Sequence, residues 1–325
     1  MEVKLDIKDK RILYELDLNS RQSFGKIAKK VGLSKNAVIY RVNNLKKLGV
    51  IKNFHAWIDM TKLGFIEFRI YLNLKNASPK KEEEIIEFLS NKKIVTWVGS
   101  MEGEYNLGAK IVTRNIYEMH EFWDELFQKF VNFIEKRLMT IIAGSNYYYK
   151  TYLLNSKENH EKESVRTSIE LEKIDEIDEN IIKHLTKDAR ISIIELSEKI
   201  RVTPKTIISH IRDLEKRRVI VGYGTVLDLE KMGYKNFKVS FILFRLTPEK
   251  MNDFRNYAMR HPNIIYDEEV IGGDDYELEV QVRDLRDLRE IIRDIKSCFA
   301  EIVQDYKVLF MFEDHKHVGF PEKGF

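Results

Sequence analysis

The chain has 325 residues, with 55 Lys and Arg against 52 Asp and Glu and a net charge of +3 at pH 7. That length exceeds one typical domain, and so balanced a charge does not by itself indicate a polyanion-binding protein. Cys298 is the single cysteine, which excludes an internal disulfide framework and a cysteine-based zinc site. No run of 18 uncharged apolar residues occurs, and the start lacks the apolar run of a signal peptide. We therefore expect a cytoplasmic protein with no membrane partner and no cofactor or metal.

The first fifty residues predict three short helices. Apolar spacing indicates a helix over residues 6–17, with Asp6 or Asp9 as its N-cap. A second helix ends before Gly32, which can adopt positive φ. Ser34 then caps a third helix, whose apolar stripe is Val38, Val42 and Leu45. Three short helices with a tight turn before the third predict a helix-turn-helix.

The next hundred residues have a different pattern. Alternating aromatic and β-branched residues predict strands, and apolar spacing predicts helices between them. The predicted strands are 65–74, two within 93–113 about a turn near Glu102-Gly103, and 136–153, with helices at 79–90 and 115–130. The order βαββαβ predicts an α+β, ferredoxin-like domain with an antiparallel sheet and helices on one face.

The whole pattern occurs twice. Val50-Ile51 corresponds to Val219-Ile220, an offset of 169 residues, and Lys62-Leu63-Gly64-Phe65 corresponds to Lys231-Met232-Gly233-Tyr234. The predicted organisation is helix-turn-helix 1–60, βαββαβ 64–154, linker 155–173, helix-turn-helix 174–230 and βαββαβ 234–325. In the second βαββαβ domain the predicted strands are 237–246, 263–272, 275–283 and 302–312, with helices at 248–260 and 285–297. The linker is polar, without glycine or proline, and we expect it to be partly helical.

The charge of the first helix-turn-helix is uneven. Residues 18–54 contain nine Lys and Arg and no acid, a distribution suited to neutralising phosphates. We predict that the outward face of the third helix contacts double-stranded DNA through Lys35, Asn36, Tyr40, Arg41, Asn43, Asn44 and Lys47. Asn and Arg can read base edges, while Lys holds phosphates. The alternative is a solvated basic face on a helical bundle.

The second helix-turn-helix is less basic. Residues 187–223 contain nine cations and five acids, and Arg201 and Arg218 occupy the positions of Gly32 and Gly49, where positive φ is expected. Its candidate DNA contacts are Lys205, Ser209 and Arg212. This unit would bind DNA weakly, bind another sequence, or support the fold.

Several motifs together resemble one family. They are Ile174-Asp175-Glu176-Ile177-Asp178, Arg190-Ile191-Ser192, Glu195-Leu196-Ser197 and Leu45-Lys46-Lys47-Leu48-Gly49-Val50-Ile51. The chain resembles the Lrp/AsnC (leucine-responsive) transcriptional regulators, and its tandem form is similar to archaeal members. The resemblance implies that the helix-turn-helix units bind operator DNA. It also implies that the βαββαβ domains pair sheet-to-sheet, sense an amino acid or other small metabolite, and form a homo-oligomer.

A turn in the second copy carries the effector prediction. The family's Gly-x-x-Asp-Tyr turn corresponds to Gly272-Gly273-Asp274-Asp275-Tyr276, and a carboxylate there can accept an ammonium group. The candidate effector residues are Gly272, Asp274, Asp275 and Tyr276. The first copy has Gly99-Ser100-Met101-Glu102-Gly103-Glu104-Tyr105, which we interpret as two residues longer. The alternative is a polar turn whose residues serve conformation alone.

The function predicted from the sequence is DNA-binding transcriptional regulation by a pseudo-dimer within one chain, not enzymatic catalysis. Because the halves differ, the operator need not be a palindrome. The alternative is a tetrapyrrole (sirohaem-type) decarboxylase of the same fold, which would need His, Arg or Tyr converging in the sheet cleft. The eight histidines have no repeated spacing, and His315 and His317 are interpreted as a solvated tail.

Overall fold

The first copy opens with the predicted helix-turn-helix. The computed structural model describes residues 2–155, 162–166 and 170–321. Its first elements are α1 (Ile7–Leu18), α2 (Phe24–Val31), α3 (Lys35–Lys47) and β1 (Ile51–Ile58). Asp6 caps α1 in a capping box with Asp9, and Ser34 caps α3, so the N-termini begin where side-chain acceptors satisfy free backbone N–H groups.

The first sheet domain follows in the predicted order. It contains β2 (Ile66–Leu74), α4 (Pro79–Asn91), β3 (Val95–Glu102), β4 (Leu107–Thr113), α5 (Ile116–Phe130) and β5 (Ile134–Tyr148). The predicted last strand, 136–153, is wrong at its end, because a 3-10 turn occupies Thr151–Leu154. The expectation of helix in the linker is not met where the linker is described. Strand β6 (Lys162–Arg166) pairs with β5 there, and residues 156–161 and 167–169 lie outside the described residues.

The second copy repeats these elements. Its helix-turn-helix is α6 (Glu176–Lys187), α7 (Ile193–Ile200) and α8 (Pro204–Lys216), followed by β7 (Ile220–Leu227). Its sheet domain is β8 (Lys235–Leu243), α9 (Pro248–Arg260), β9 (Ile264–Ile271), β10 (Tyr276–Val282), α10 (Leu285–Cys298) and β11 (Val303–His317). Gly32, Gly49, Arg201 and Arg218 all have φ between 60° and 72°, which confirms the predicted positive-φ positions.

A two-stranded ribbon joins the two helix-turn-helix units. Strands β1 and β7 pair antiparallel, with Ile51 opposite Leu227 and Ile58 opposite Ile220, so the register is symmetric between copies. Arg21 donates to the carbonyl of Ala189, and Arg190 reciprocally donates to that of Ser20. These bonds satisfy buried carbonyl groups at the contact. The two helix-turn-helix units therefore pack on each other within one chain.

The eight strands of the two sheet domains close into one eight-stranded barrel. The order is β2, β4, β3, β11, β8, β10, β9 and β5, and β5 pairs again with β2. The copies meet through β3–β11 and β5–β9. The family resemblance implied sheet-to-sheet pairing; in this structure the two sheets also join edge to edge, because closure leaves no unpaired edge strand. Helices α4 and α5 cover one apolar core, and α9 and α10 cover another.

Among the described residues, no helix is long and apolar enough to cross a membrane.

Candidate nucleic-acid interface and the cavity beneath it

Helix α3 presents a polar face to solvent. Its apolar stripe is buried, with Val38, Val42 and Leu45 at most 2% exposed. The opposite face is open, and Tyr40 is 73% exposed. The exposed candidate contacts on this face are Lys35, Asn36, Tyr40, Asn43, Asn44 and Lys47. The structure thus brings six of the seven predicted side chains together on one solvent-facing surface.

Arg41 is the exception among the predicted contacts of α3. Its Nη1 lies 2.7 Å from Asp6 Oδ2 and 2.7 Å from Asp9 Oδ1. The hydrogen bonds that Arg41 donates to both carboxylates raise its pKa. Asp6 and Asp9 form the capping box of α1, so Arg41 links the recognition helix to the first helix. Its charge is therefore balanced by acids of the protein itself.

The acid-free segment acquires acids from outside itself on folding. Lys30 Nζ lies 2.6 Å from Glu15, and Lys52 Nζ lies 3.6 Å from Asp228. Arg21 is engaged with the second copy. Five lysines of the segment have no acidic partner within the described ranges: Lys26, Lys29, Lys35, Lys46 and Lys47. These five supply the positive potential of the first unit.

The second unit keeps a comparable set of cations but more acids. Lys205, Ser209 and Arg212 are exposed on α8. Arg190 is engaged with carbonyl groups of the first copy, and five further cations lack an ion pair in the described part of the chain: Lys187, Arg201, Lys205, Arg212 and Lys216. Three acids there, Asp188, Glu198 and Glu215, likewise lack one. The difference between the units therefore comes from these acids, since the number of unpaired cations is the same.

His210 stands where the first copy has Arg41. Its Nδ1 lies 2.7 Å from Asp178 and 3.9 Å from Asp175. The three groups place ligand atoms within 4.8 Å of one another, a spacing that a metal ion could use. Arg217 Nη2 already lies 3.4 Å from the same Asp178 carboxylate, and a guanidinium so placed opposes a bound cation.

The effector turn has a different alignment from the one predicted. Strands β3 and β4 end and begin at Glu102 and Leu107, and β9 and β10 at Ile271 and Tyr276, the same spacing. The interpretation of a first-copy turn two residues longer is wrong. The positive-φ glycines Gly103 and Gly272 correspond, because the backbone reversal requires that conformation at this point of each turn.

Asp275 has a structural partner that the repeat duplicates. Its Oδ2 accepts a hydrogen bond from the backbone N–H of Leu243 at 2.7 Å. Asn106, at the equivalent position, accepts from the backbone N–H of Leu74 at 2.9 Å. An Asp in one copy and an Asn in the other make the same hydrogen bond to the backbone. This favours the alternative in which the polar residues of the turn only stabilise its conformation.

The other three effector candidates lie in different environments. Asp274 is buried and accepts from Lys307 Nζ at 3.0 Å. Tyr276 is fully buried on the helix-covered side of the sheet, its ring 5.2 Å from Phe254. Gly272 is exposed at φ 92°. The structure does not bring these residues together around one space.

A cavity of about 310 Å³ lies between the β1–β7 ribbon and the mouth of the barrel. All eight barrel strands contribute to its lining, and the ribbon contributes His55, Trp57 and Thr225. Barrel mouths are frequent ligand sites, and about 300–1,000 Å³ is the usual pocket volume. The sequence analysis did not predict this cavity, because its lining comes from strands distant in the chain.

A charged network fills the barrel below the cavity. Arg69 donates to Glu268 through both Nη atoms, and Lys238 Nζ lies 2.9 Å from Glu268 and 2.7 Å from Glu277. Tyr71 donates to Glu277 at 3.0 Å. Two cations thus face two carboxylates, all buried, and the network joins strands of both copies.

Two neighbouring histidines line the cavity. The rings of His55 and His317 are 5.7 Å apart, and Trp57 Nε1 donates to His55 Nε2 at 2.8 Å. The interpretation of His315 and His317 as a solvated tail is wrong, because β11 continues through both and His315 is bonded to Ser100. Desolvation, with His317 and Lys150 nearby, lowers the pKa of His55 to about 3.

Comparison with protein families agrees with this arrangement. Residues 5–52 and 174–221 each match the model for winged helix-turn-helix DNA-binding domains, and residues 239–318 match the Lrp/AsnC ligand binding domain. The chain belongs to the Lrp/AsnC family of transcriptional regulators. The match of two helix-turn-helix units accords with the tandem arrangement predicted from the repeat.

Relatives of this Lrp/AsnC chain correspond to one copy. An uncharacterized HTH-type transcriptional regulator of Pyrococcus furiosus is 28% identical over 144 residues, 44% of this chain and 93% of the relative. The HTH-type transcriptional regulator LrpC of Bacillus subtilis is 31% identical over 121 residues, 37% of this chain and 82% of LrpC. Each relative is covered almost whole by less than half of this chain.

The tandem architecture also occurs in a solved structure. The siroheme decarboxylase NirDL has a TM-score of 0.63 and 13% identity, with 97% of this chain and 94% of that chain covered. At that identity the likeness shows the shared fold alone. The Lrp/AsnC regulator and NirDL therefore have the same arrangement of elements over nearly their whole lengths.

The cavity-lining His55 of this Lrp/AsnC regulator predicts a pH dependence of stability. Its folded pKa lies near 3, below the ordinary value of 6.5, so the unfolded chain binds the proton more readily. The neutral His55 makes its full contribution to the free energy of unfolding above pH 6.5. That contribution is lost as the pH falls toward 3, and the loss is at most about 2 kcal/mol at pH 5. We expect His55→Gln to flatten the decline of the unfolding free energy between pH 7 and 5, measured by urea denaturation. His120→Gln, at a 70%-exposed side chain, is the control, and equal slopes for both variants would contradict the assignment.

Proposed function

We propose that this regulator binds double-stranded DNA mainly through α3 of the first copy. The observation that carries the proposal is the solvent-facing surface of α3 with the unpaired lysines around it. Asn36, Asn43 and Asn44 are suited to base edges, and the lysines to phosphates. In the second copy, α8 contributes Lys205, Ser209 and Arg212. Its attraction to phosphates is weaker, because unpaired acids lie in the same unit.

The β1–β7 ribbon sets the relative position of the two helix-turn-helix units that would contact DNA. Since β1 and β7 pair in one chain, both units belong to one pseudo-dimer with different recognition helices. The operator on this proposal has two unlike half-sites. We further propose that the chain acts in the cytoplasm and associates with other copies through the barrel domains, which light scattering of the purified protein would measure.

Sensing of an amino acid remains a proposal that the turn at Asp275 supports poorly. Asp275 and Asp274 are engaged by Leu243 and Lys307, and Tyr276 lies in the apolar core. The cavity beneath the ribbon is the better location for an effector. A ligand there would contact both the ribbon and the barrel, and would favour one arrangement of the DNA-reading units by its difference in affinity.

Tetrapyrrole decarboxylation is the second candidate. In its favour are the tandem fold shared with a siroheme decarboxylase and the two histidines at the cavity. Against it, the four cations that line the cavity each contact a carboxylate of the described chain, which leaves none free for an acidic substrate. A strong visible absorption band after tetrapyrrole addition, with loss of a carboxyl group as CO₂, would favour the enzyme.

Selection of bound fragments from sheared chromosomal DNA of the source organism tests the main proposal. We expect enrichment of a limited set of sequences. Their affinity should fall linearly with the logarithm of salt concentration, as released counterions require. Binding that is absent at low salt, or independent of salt and sequence, would reject DNA recognition.

A further inference from the structure

The two halves of the cavity correspond through the repeat, but their charges differ. In the first copy, Lys110 Nζ lies 2.8 Å from Glu67 Oε1. The offset of 169 residues places Glu279 at the position of Lys110 and Asn236 at that of Glu67. The second copy thus has a carboxylate where the first has a cation, beside an amide where the first has a carboxylate.

Glu279 has no cation of its own. Its Oε1 accepts from Asn236 Nδ2 at 3.0 Å, and no ion pair reaches it from the described ranges. Lys238, its cross-strand neighbour, binds Glu268 and Glu277 instead. Burial raises the pKa of the Glu279 carboxyl. Glu279 is half-buried, and a carboxylate withdrawn from water without a counter-charge is costly unless something else supplies one.

The rest of the lining does not supply that counter-charge. Within the described part of the chain, every lining cation is paired: Arg69 and Lys238 with Glu268 and Glu277, Lys110 with Glu67, and Lys150 with Asp17. Asp314, which is exposed, accepts a hydrogen bond from Trp97 Nε1 at 2.7 Å and, like Glu279, has no ion pair there. The cavity therefore has a surplus of negative charge.

Acceptor atoms and aromatic rings adjoin this surplus charge. Asn236 Oδ1 is buried and receives no hydrogen bond from the described residues. Tyr266 lies directly opposite Glu279 in the β9–β10 pairing. Trp57 and Tyr147, with ring centroids 4.1 Å apart, form a further part of the wall. Buried acceptors want a hydrogen-bond donor, and ring faces attract a cation or another ring.

We propose that this cavity binds a small organic cation with an aromatic ring, an arylalkylamine in chemical class. Its ammonium group donates to Glu279 and Asn236 and serves Glu279 as the counter-cation, as Lys110 serves Glu67 in the first copy. Its ring packs against the aromatic wall that the ribbon and barrel form together. Binding itself is independent of DNA, whereas an effect of the ligand on operator affinity rests on the proposed function.

Three probes of similar shape test the charge that the cavity selects. Phenethylamine is the cation, 3-phenylpropanol the neutral analogue, and 3-phenylpropanoate the anion. Isothermal titration calorimetry of the full-length protein without DNA should show binding of phenethylamine and weaker or absent binding of the other two. Equal binding of the three, or no heat from phenethylamine at millimolar concentration, would overturn the proposal whether or not the protein binds DNA.

Variants then locate the site. Glu279→Gln should lower phenethylamine affinity about tenfold or more, since removing one partner of a buried charge pair costs that much. Glu135→Gln, half-exposed on β5, is the matched control with unchanged affinity. The double change Asn236→Glu with Glu279→Lys recreates the Lys110–Glu67 pair, and should abolish binding while the melting temperature is maintained. Retained affinity in Glu279→Gln, or in the double variant once it is shown to be folded, would contradict the site.

Discussion

Replacing Lys35 and Lys47 together with alanine is expected to weaken DNA binding more than replacing Lys205 and Lys216 together. Lys47 and Lys216 correspond through the repeat, and Lys35 and Lys205 lie in the first turns of the two recognition helices. All four are without an acidic partner in the described chain. The first pair acts in the segment 18–54, which contains no acid, whereas Asp188, Glu198 and Glu215 oppose the second. Filter binding over a salt series should show the slope of log K against log salt reduced by about 0.9 for each lost phosphate contact.

Arg41→Ala separates positioning from direct contact. We expect it to lower the melting temperature, because Asp6 and Asp9 lose their shared partner, while Lys35→Ala leaves the melting temperature unchanged. For the lysine experiment above, equal loss of DNA affinity from the first-copy and second-copy double variants would contradict the proposed difference in DNA binding between the two helix-turn-helix units. If Arg41→Ala lowers the salt slope as Lys35→Ala does, without a change in stability, Arg41 contacts phosphate directly.

Glu268→Ala is expected to have the largest effect on stability, a loss of about 3–5 kcal/mol in the free energy of unfolding. Glu268 contacts Arg69 from the first copy and Lys238 from its own. Although burial opposes it, those two cations hold the pKa of Glu268 well below its usual range. Without Glu268, two buried cations would share Glu277 alone. Urea denaturation monitored by circular dichroism measures the change.

A matched surface pair provides the control for that loss. Glu135→Ala removes the partner of Lys75, and both side chains are more than 40% exposed. Such a change is expected to alter stability by less than about 1 kcal/mol. If Glu268→Ala changed the free energy of unfolding as little as Glu135→Ala, the charged network would contribute little to holding the two copies together. The closed barrel would then be held by its backbone pairing and the apolar cores.

The local features could be predicted because each depends on residues close in sequence. Ser34 and Thr203 cap their helices, and Arg201 and Arg218 adopt the positive φ expected from Gly32 and Gly49. The sequence motif aligns Gly272 with Gly99 and Tyr276 with Tyr105, whereas the structure aligns Gly272 with Gly103. The geometry of a turn depends on backbone φ, and Gly103 and Gly272 both have positive φ.

The sequence by itself determined the repeat, the two helix-turn-helix units, the βαββαβ order and the outward face of α3. Periodicity and capping are properties of consecutive residues, so they can be read without coordinates. Only the tertiary structure decided which charges are free. Lys30 and Arg41 belong to a segment without acids, yet Glu15, Asp6 and Asp9 reach them from another helix. The cavity with Glu279 likewise arises where strands from both copies close one barrel, because electrostatic pairing depends on distance in space and not along the chain.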